Sequence, residues 1–285
     1  MNRDFGVHLD NILESSNPFS AVKSGYGRCI SDIFVSAYPE GSLAQLFHKY
    51  AHDYVVRLVK GETFPCILGQ TATKTNQYSF CAYDNITDPQ VAEGVLYDIV
   101  RFQHDFEVPA KPKGPRGIFR AVLAAFQGPE IKDEIHGAEV LYTLLNNMHE
   151  INSQHYEWTE GFSNDPQSPD FGFSAGKSAY FIAYLHPKAS VPARRSDVNF
   201  IVFNSHHVIG AFKATGMDNY AKAKAIIRGR QVQPIHPYLG DYGTVEEWRQ
   251  YALLNPDLET EAKELELRRR ILGERPFQPR RDQKQ

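Results

Sequence analysis

Cysteine is scarce in this chain of 285 residues: three occur, at positions 29, 66 and 81, an odd number with neither a CxxC nor a zinc-finger spacing. No disulfide framework or structural zinc follows from them, and a reducing cytoplasm is the simplest home. Charge of one sign is lacking too. Against 34 Asp and Glu stand 31 Lys and Arg, a formal net charge of -3, which gives no electrostatic case for nucleic acid or an anionic membrane as partner. No apolar run approaches the roughly 18 residues of a membrane span, and the start MNRDFGVHLD has no apolar signal core, so a protein without membrane contact is expected. The P-loop, GxGxxG, GxSxG, HExxH and protein-kinase signatures are all missing, which leaves several common enzyme classes unsupported.

What is present is aromatic. Eighteen Phe and fifteen Tyr suit either a thick core or an apolar pocket for a flat ligand. With no internal repeat and no sharp break in composition, the chain reads as one α+β domain, a mainly antiparallel sheet with flanking helices. Residues 1–40, rich in Asn, Ser, Gly and Pro, read as an irregular N-terminal arm; 41–257 form the body; 258–285 form a charged tail, helical and then disordered, whose Arg268 to Arg270, Arg280 and Arg281 read as solvated.

Within the body a helix is predicted from Ser42, with Gln45 completing a capping box, to about Lys60. Leu43, Leu46, Phe47, Tyr50, Tyr54 and Leu58 mark its buried face. His48 and His52, one turn apart, have the spacing of a helical metal pair but no third ligand, and read as exposed polar positions. Residues 64–84 read as a hairpin. Asp88-Pro89 starts a helix with the apolar face Val91, Val95, Ile99 and Phe102. A strand follows over 118–126, then a helix over 132–148 with Val140, Leu141, Leu144, Leu145 and Met148 inward. After a polar, aromatic loop come the strands FGFSAG, SAYFIAYL and NFIVFN, a helix over 207–230 broken near Gly216, and a short helix containing Trp248 capped by Thr244 with Glu247.

The stretch from Asp170 to His207 is the densest in chemistry. Its strands need a covered face, while His186, Arg194, Arg195, His206 and His207 need water or a partner. His186 ends a strand before Pro187, so its ring is expected at the sheet rim. It could be a haem ligand, a propionate partner or a capping residue. Arg194 and Arg195 suit bidentate recognition of a carboxylate, or else form a solvated surface pair. His206 and His207 point oppositely in an extended chain, so at most one joins any site. Cys66, in Phe64-Pro65-Cys66 at the start of a strand, is either a small buried hydrophobe or a thiolate facing a pocket.

The order and spacing of several motifs resemble the YqcI/YcgG-like proteins. They are FPC at 64–66, GPE at 128–130 leading into a helix that ends NMHEINSQHYEW, SNDPQSPDFGFSAGKSAYFIAYLHPKASVPARR followed by FIVFN and His206, and then PIHPYLGDYG and EWRQY. The resemblance covers most of the chain. That family includes haem-dependent N-oxygenases of guanitoxin and D-cycloserine biosynthesis, so the resemblance implies a haem-dependent monooxygenase that N-hydroxylates a small amino-acid-derived amine or an arginine-like guanidine. It implies haem b with its iron, dioxygen as co-substrate and a reductase or other electron donor, with a homodimer as one option. The sheet and helices would then enclose a haem pocket. Cys66 and His186 are the two axial-ligand candidates, thiolate chemistry favouring Cys66. Arg194, Arg195 and His206 are the further cofactor-binding candidates. Where relatives similar to the guanidine hydroxylases read HP-x-A-S-R-x-A-R-R, this chain has Val191 for the first Arg, and FNSHHVIG carries a second His. A guanidinium substrate wants a buried carboxylate, for which Asp84, Glu157 and Asp165 lie in suitable loops. The alternative is a haem- or small-ligand-binding protein without turnover; a non-haem metal site of His186, His206 and a carboxylate is a third option.

Overall fold

A computed structural model of the chain describes residues 17–107, 119–231, 236–237, 246–273 and 277. Seven strands form one sheet: β1 (Gly27–Ile30), β2 (Ile33–Ser36), β3 (Tyr78–Asn85), β4 (Ala121–Gly128), β5 (Phe173–Ala175), β6 (Ser178–Leu185) and β7 (Asn199–Ser205). Among the described residues eight α-helices accompany them: α1 (Leu43–Lys60), α2 (Ile67–Lys74), α3 (Pro89–Phe102), α4 (Glu134–Asn152), α5 (His206–Ala214), α6 (Met217–Gly229), α7 (Arg249–Ala252) and α8 (Leu258–Leu272). The strand order is β2-β1-β3-β4-β7-β6-β5, antiparallel throughout except for the parallel pair β3 and β4. A parallel pair needs a crossover, and α3 lies between these two strands in the chain. The architecture is therefore the mixed α+β, mostly antiparallel one expected. No helix among the described residues is long and apolar enough to cross a membrane.

The central strands read as continuous apolar runs because both faces of the sheet are covered. Alternation along β4, β6 and β7 sends Val122, Phe126, Tyr180, Tyr184 and Phe203 into a large core that includes residues of α3, α4 and α8. Ala121, Leu123, Ala183, Leu185 and Phe200 face a smaller core beside Ala51, Val55 and Val59 of α1. The segment around α7 straddles both sides. Strand β5 pairs only with Ser178 to Tyr180 of β6, and α7 packs along β6, with Tyr251 against Phe181 at 6.1 Å between ring centroids.

Local chemistry sets the helix starts. Ser42 accepts from the Gln45 N–H at 3.2 Å, and Gln45 Oε1 reaches back to the Gly41 N–H at 2.8 Å, one residue beyond the expected reciprocal bond. Asp88 caps α3 through the Gln90 N–H at 2.9 Å, and Asp133 caps α4 through the His136 N–H at 2.8 Å. Gly216, at φ 128°, separates α5 from α6.

Several expectations are corrected. Residues 27–36, assigned to an irregular arm, form the β1-β2 hairpin; residues 1–16 lie outside the described ones. The segment 64–84 is not a hairpin, since its first half is α2. Helix α1 buries a stripe beside the one its apolar residues marked: Gln45, His48, Ala51, His52, Val55 and Val59 are inward, Phe47, Tyr54 and Leu58 are half-buried against the smaller core, and Leu43, Leu46 and Tyr50 are exposed. His48 and His52 are thus buried, not surface positions. His48 spans Ser36 Oγ and the Phe80 carbonyl, each at 2.8 Å, and His52 contacts Tyr78 Oη at 2.9 Å. The tail helix α8 is not wholly solvated: Glu264 and Arg268 are buried, Glu264 accepting from Tyr142 Oη at 2.7 Å and Arg268 lying 5.2 Å over Trp248. Arg280 and Arg281 lie outside the described residues, as does Thr244, the expected cap of the Trp248 helix.

Candidate functional site

A cavity of about 320 Å³ lies on the α1 face of the sheet. Leu123, Phe181, Ala183 and Val202 come from the strands, and Leu68, Ile209, Phe212 and Ile227 come from α2, α5 and α6. That volume falls at the lower end of small-ligand sites, and so does its make-up of apolar walls with a few polar groups. Cys66, Arg194, Asn204, Gln231 and Glu247 are among the polar groups.

Cys66 reaches the cavity because it is the N-cap of α2, where its Sγ accepts from the Gly69 N–H at 3.3 Å. Burial pushes its thiol above the ordinary value, while the N–H groups of Gly69 and Leu68 and the nearby charge of Arg194 pull it back. Arg194 ends a 3-10 turn, Pro192–Arg194, that Val191 precedes. One of its terminal nitrogens donates to the Gln250 carbonyl at 3.0 Å. Its Nε is buried with no partner among the described residues. Burial lowers Arg194 from 12.5 to about 10, so it stays charged at neutral pH. A half-buried guanidinium of this kind, bonded among the described residues to one carbonyl, has the chemistry to bind an anion.

The other expected residues separate. Arg195 turns outward, donating to the carbonyls of Ala189 at 3.0 Å and Ser190 at 3.3 Å, so the arginine pair does not act as one fork. His186 is fully buried, not at a rim, and does not line the cavity. It lies on the α4 face of the sheet, its ring stacked 4.9 Å from that of Tyr184, and burial lowers it from 6.5 to about 4. A Cβ added at Gly137 of α4 would come within 2.7 Å of the His186 ring. Gly137→Ala should therefore cost about 1–3 kcal/mol from overpacking, offset in part by about 0.5–1 kcal/mol of helix propensity. Urea unfolding should show that net loss, with ligand binding in the cavity unchanged.

His206 opens α5, is buried, and sits 3.3 Å from Glu247 and 4.7 Å, ring to ring, from Phe162; His207 is exposed. Tyr180 pairs with Ser205 and Leu185 with Phe200. His206 and His186 thus flank opposite ends of β6, roughly 23 Å apart at strand rise, and cannot share a metal ion. Among the described residues no three His, Cys, Asp or Glu side chains are placed to hold one. Of the carboxylates considered for a cationic substrate, Asp84 pairs with Lys23 at 2.8 Å at the surface, Glu157 is exposed and Asp165 turns back on its own loop. The cavity carboxylate is Glu247, expected from the sequence only as a helix cap. Its available signal was the Glu-x-x-x-Tyr spacing, which sets Glu247 and Tyr251 on one helical face.

Fold and cavity define a mixed α+β protein that carries an apolar pocket, with a thiol and a half-buried guanidinium, on one face of its sheet. The chain belongs to the YqcI/YcgG family, whose model matches residues 55–262. No curated protein and no solved structure matches it.

Proposed function

We propose that this chain is a haem-dependent N-oxygenase that hydroxylates a nitrogen of a small amino-acid-derived amine or guanidine. The observation that carries the reading is the presence of Cys66 and Arg194 in one apolar cavity. The donor set suits haem in kind: a single thiol that can serve as axial ligand, a guanidinium for an acid group, and apolar walls from the strands. Bound haem would supply oxygen activation, favoured by electron donation from a thiolate, with one oxygen atom going to nitrogen, the other leaving as water, and two electrons coming from an external reductant.

The chain's own residues do the rest. Cys66 holds its sulfur at the start of α2, where the helix N–H groups and Arg194 offset part of the cost that burial sets on charging it. Arg194 binds a carboxylate, either a haem propionate or that of the substrate. The apolar side chains of β4, β6 and β7 keep water from the reacting nitrogen. His186 is the second axial candidate, but it faces α4 rather than this cavity. The three free thiols are compatible with a reducing cytoplasm.

The test is to express the protein with ample haem, record its visible spectrum, and incubate it with arginine, dioxygen and a reductant while following the mass of the product. A Soret band and the gain of one oxygen are expected. No Soret band would end the reading, and haem without product across an amino-acid panel would make the protein a haem carrier or sensor.

A further inference from the structure

Glu247 lines the cavity although the residue is only 5% exposed, and two buried neighbours hold it. Tyr251 donates its hydroxyl to Oε1 at 2.6 Å, and His206 Nε2 lies 3.3 Å from each carboxylate oxygen. Tyr251 and His206 are themselves buried, at 1% and 3% exposure, one wedged against β6 and the other under Phe162. Among the described residues no lysine or arginine pairs with Glu247. A carboxylate offers about four acceptor positions, so Tyr251 and His206 leave room for a donor from the cavity. Gln231 adds a buried Oε1 in the same lining with no partner among the described residues.

Arg194 and Glu247 both line the cavity, yet they do not pair with each other: the guanidinium bonds to the carbonyl of Gln250, three residues past Glu247. An apolar cavity with a half-buried cation whose Nε is unpartnered among the described residues and a buried carboxylate is complementary to a small ligand that carries both signs. We propose that Glu247 receives the cationic group of the cavity's ligand, a guanidinium or an ammonium, with His206 and Tyr251 positioning its carboxylate and Arg194 facing the ligand's acid group. This rests on the cavity being the ligand site of the proposed function and adds to it the residue that selects a cation.

Titration calorimetry of the purified protein with L-arginine, agmatine and L-citrulline tests it, because citrulline has nearly the shape of arginine and a neutral end, while agmatine lacks the carboxylate. The wild type should bind arginine at least tenfold more tightly than citrulline. Glu247→Gln, which keeps a side chain of the same size in contact with Tyr251 and His206, should abolish that preference and weaken agmatine in proportion. Equal affinity of the wild type for arginine and citrulline, no binding of either cation, or equal loss of all three ligands in the variant would overturn the assignment and leave Glu247 a wall residue tied to His206. The unfolding midpoint of the variant, measured alongside, identifies a folding defect, and Glu247→Asp, which retains the charge, must then restore discrimination for the assignment to stand. A protein that discriminates cations but takes up no haem removes the oxygenase reading and leaves this one intact.

Discussion

Cys66→Ser protein expressed with ample haem should show no thiolate-type spectrum in its ferrous CO adduct, and its N-hydroxylation of arginine should fall by about 100-fold or more. The substitution is unusually clean for this position. Cys66 caps α2 by accepting from the Gly69 N–H, and serine is a better N-cap than cysteine, so the helix and the fold should hold. What changes is the donor: an alcohol does not ionise in this site, while a thiol can, with helix N–H groups and Arg194 nearby. His186→Gln is the companion experiment. Its ring packs against Gly137 on the other face, so its replacement should leave the thiolate-type spectrum in place. If the His186 variant loses the spectrum and the Cys66 variant keeps it, the axial role moves to His186 and the cavity described here is not the haem site.

That Cys66 caps a helix at all was hidden by local rules. The usual N-caps carry oxygen, and ILGQTATK contains a glycine and three β-branched residues, so the segment scores as strand and turn although tertiary contacts hold it helical. The error on α1 has a related cause. Periodicity counts histidine and glutamine as polar, yet His48, His52 and Gln45 are inward because Ser36, Phe80, Tyr78 and Gly41 supply their hydrogen bonds. The β1-β2 hairpin turns on Ser31 and Asp32, both with positive φ, where Asn-Gly would have announced the turn. By contrast, α3, α4, β6 and β7 were readable because caps and apolar spacing agree there.

The cavity was half legible. Cys66 and Arg194 came forward because thiol and guanidinium chemistry is conspicuous near aromatic strands. Glu247 did not, because its meaning depends on His206, which is 41 residues distant in the chain and reaches it only when β7 ends in α5 beside β6. The same geometry split the candidates. Period-two alternation along β6 puts Phe181, Ala183 and Leu185 toward the cavity core and continues to His186 on the other side, so a strand-end histidine and a cavity cysteine that look like partners in one dimension are separated by the sheet.

Buried groups that titrate in opposite directions set the pH dependence of stability, and Asp98→Asn should expose one side of their balance. Burial lowers His48 and His186 each from 6.5 to about 4. A histidine held neutral in the fold stabilises it above the unfolded value and loses that contribution as pH falls from 6.5 toward 4, at about 3 kcal/mol each. Asp98 acts oppositely. It is fully buried and accepts from Ser24 Oγ at 2.5 Å, the Gly25 N–H at 2.8 Å and Tyr83 Oη at 2.7 Å, yet burial outweighs these bonds and raises it from 3.8 to about 6. The folded state therefore holds this proton more tightly than the unfolded chain, and stability rises by about 3 kcal/mol as pH falls from 6 to 3.8. Glu264, buried and raised from 4.5 to about 7, adds to the aspartate's side of the balance, while His52 and His236, lowered by burial, add to the histidines' side. In Asp98→Asn the returning contribution is gone, since an amide does not titrate, so between pH 7 and pH 4 the variant should lose about 3 kcal/mol more than the wild type. Urea unfolding at pH 7 and pH 4 reads the difference directly. Parallel pH profiles for the two proteins would mean that Asp98 ionises normally in the fold, with Ser24, Gly25 and Tyr83 compensating its burial in full.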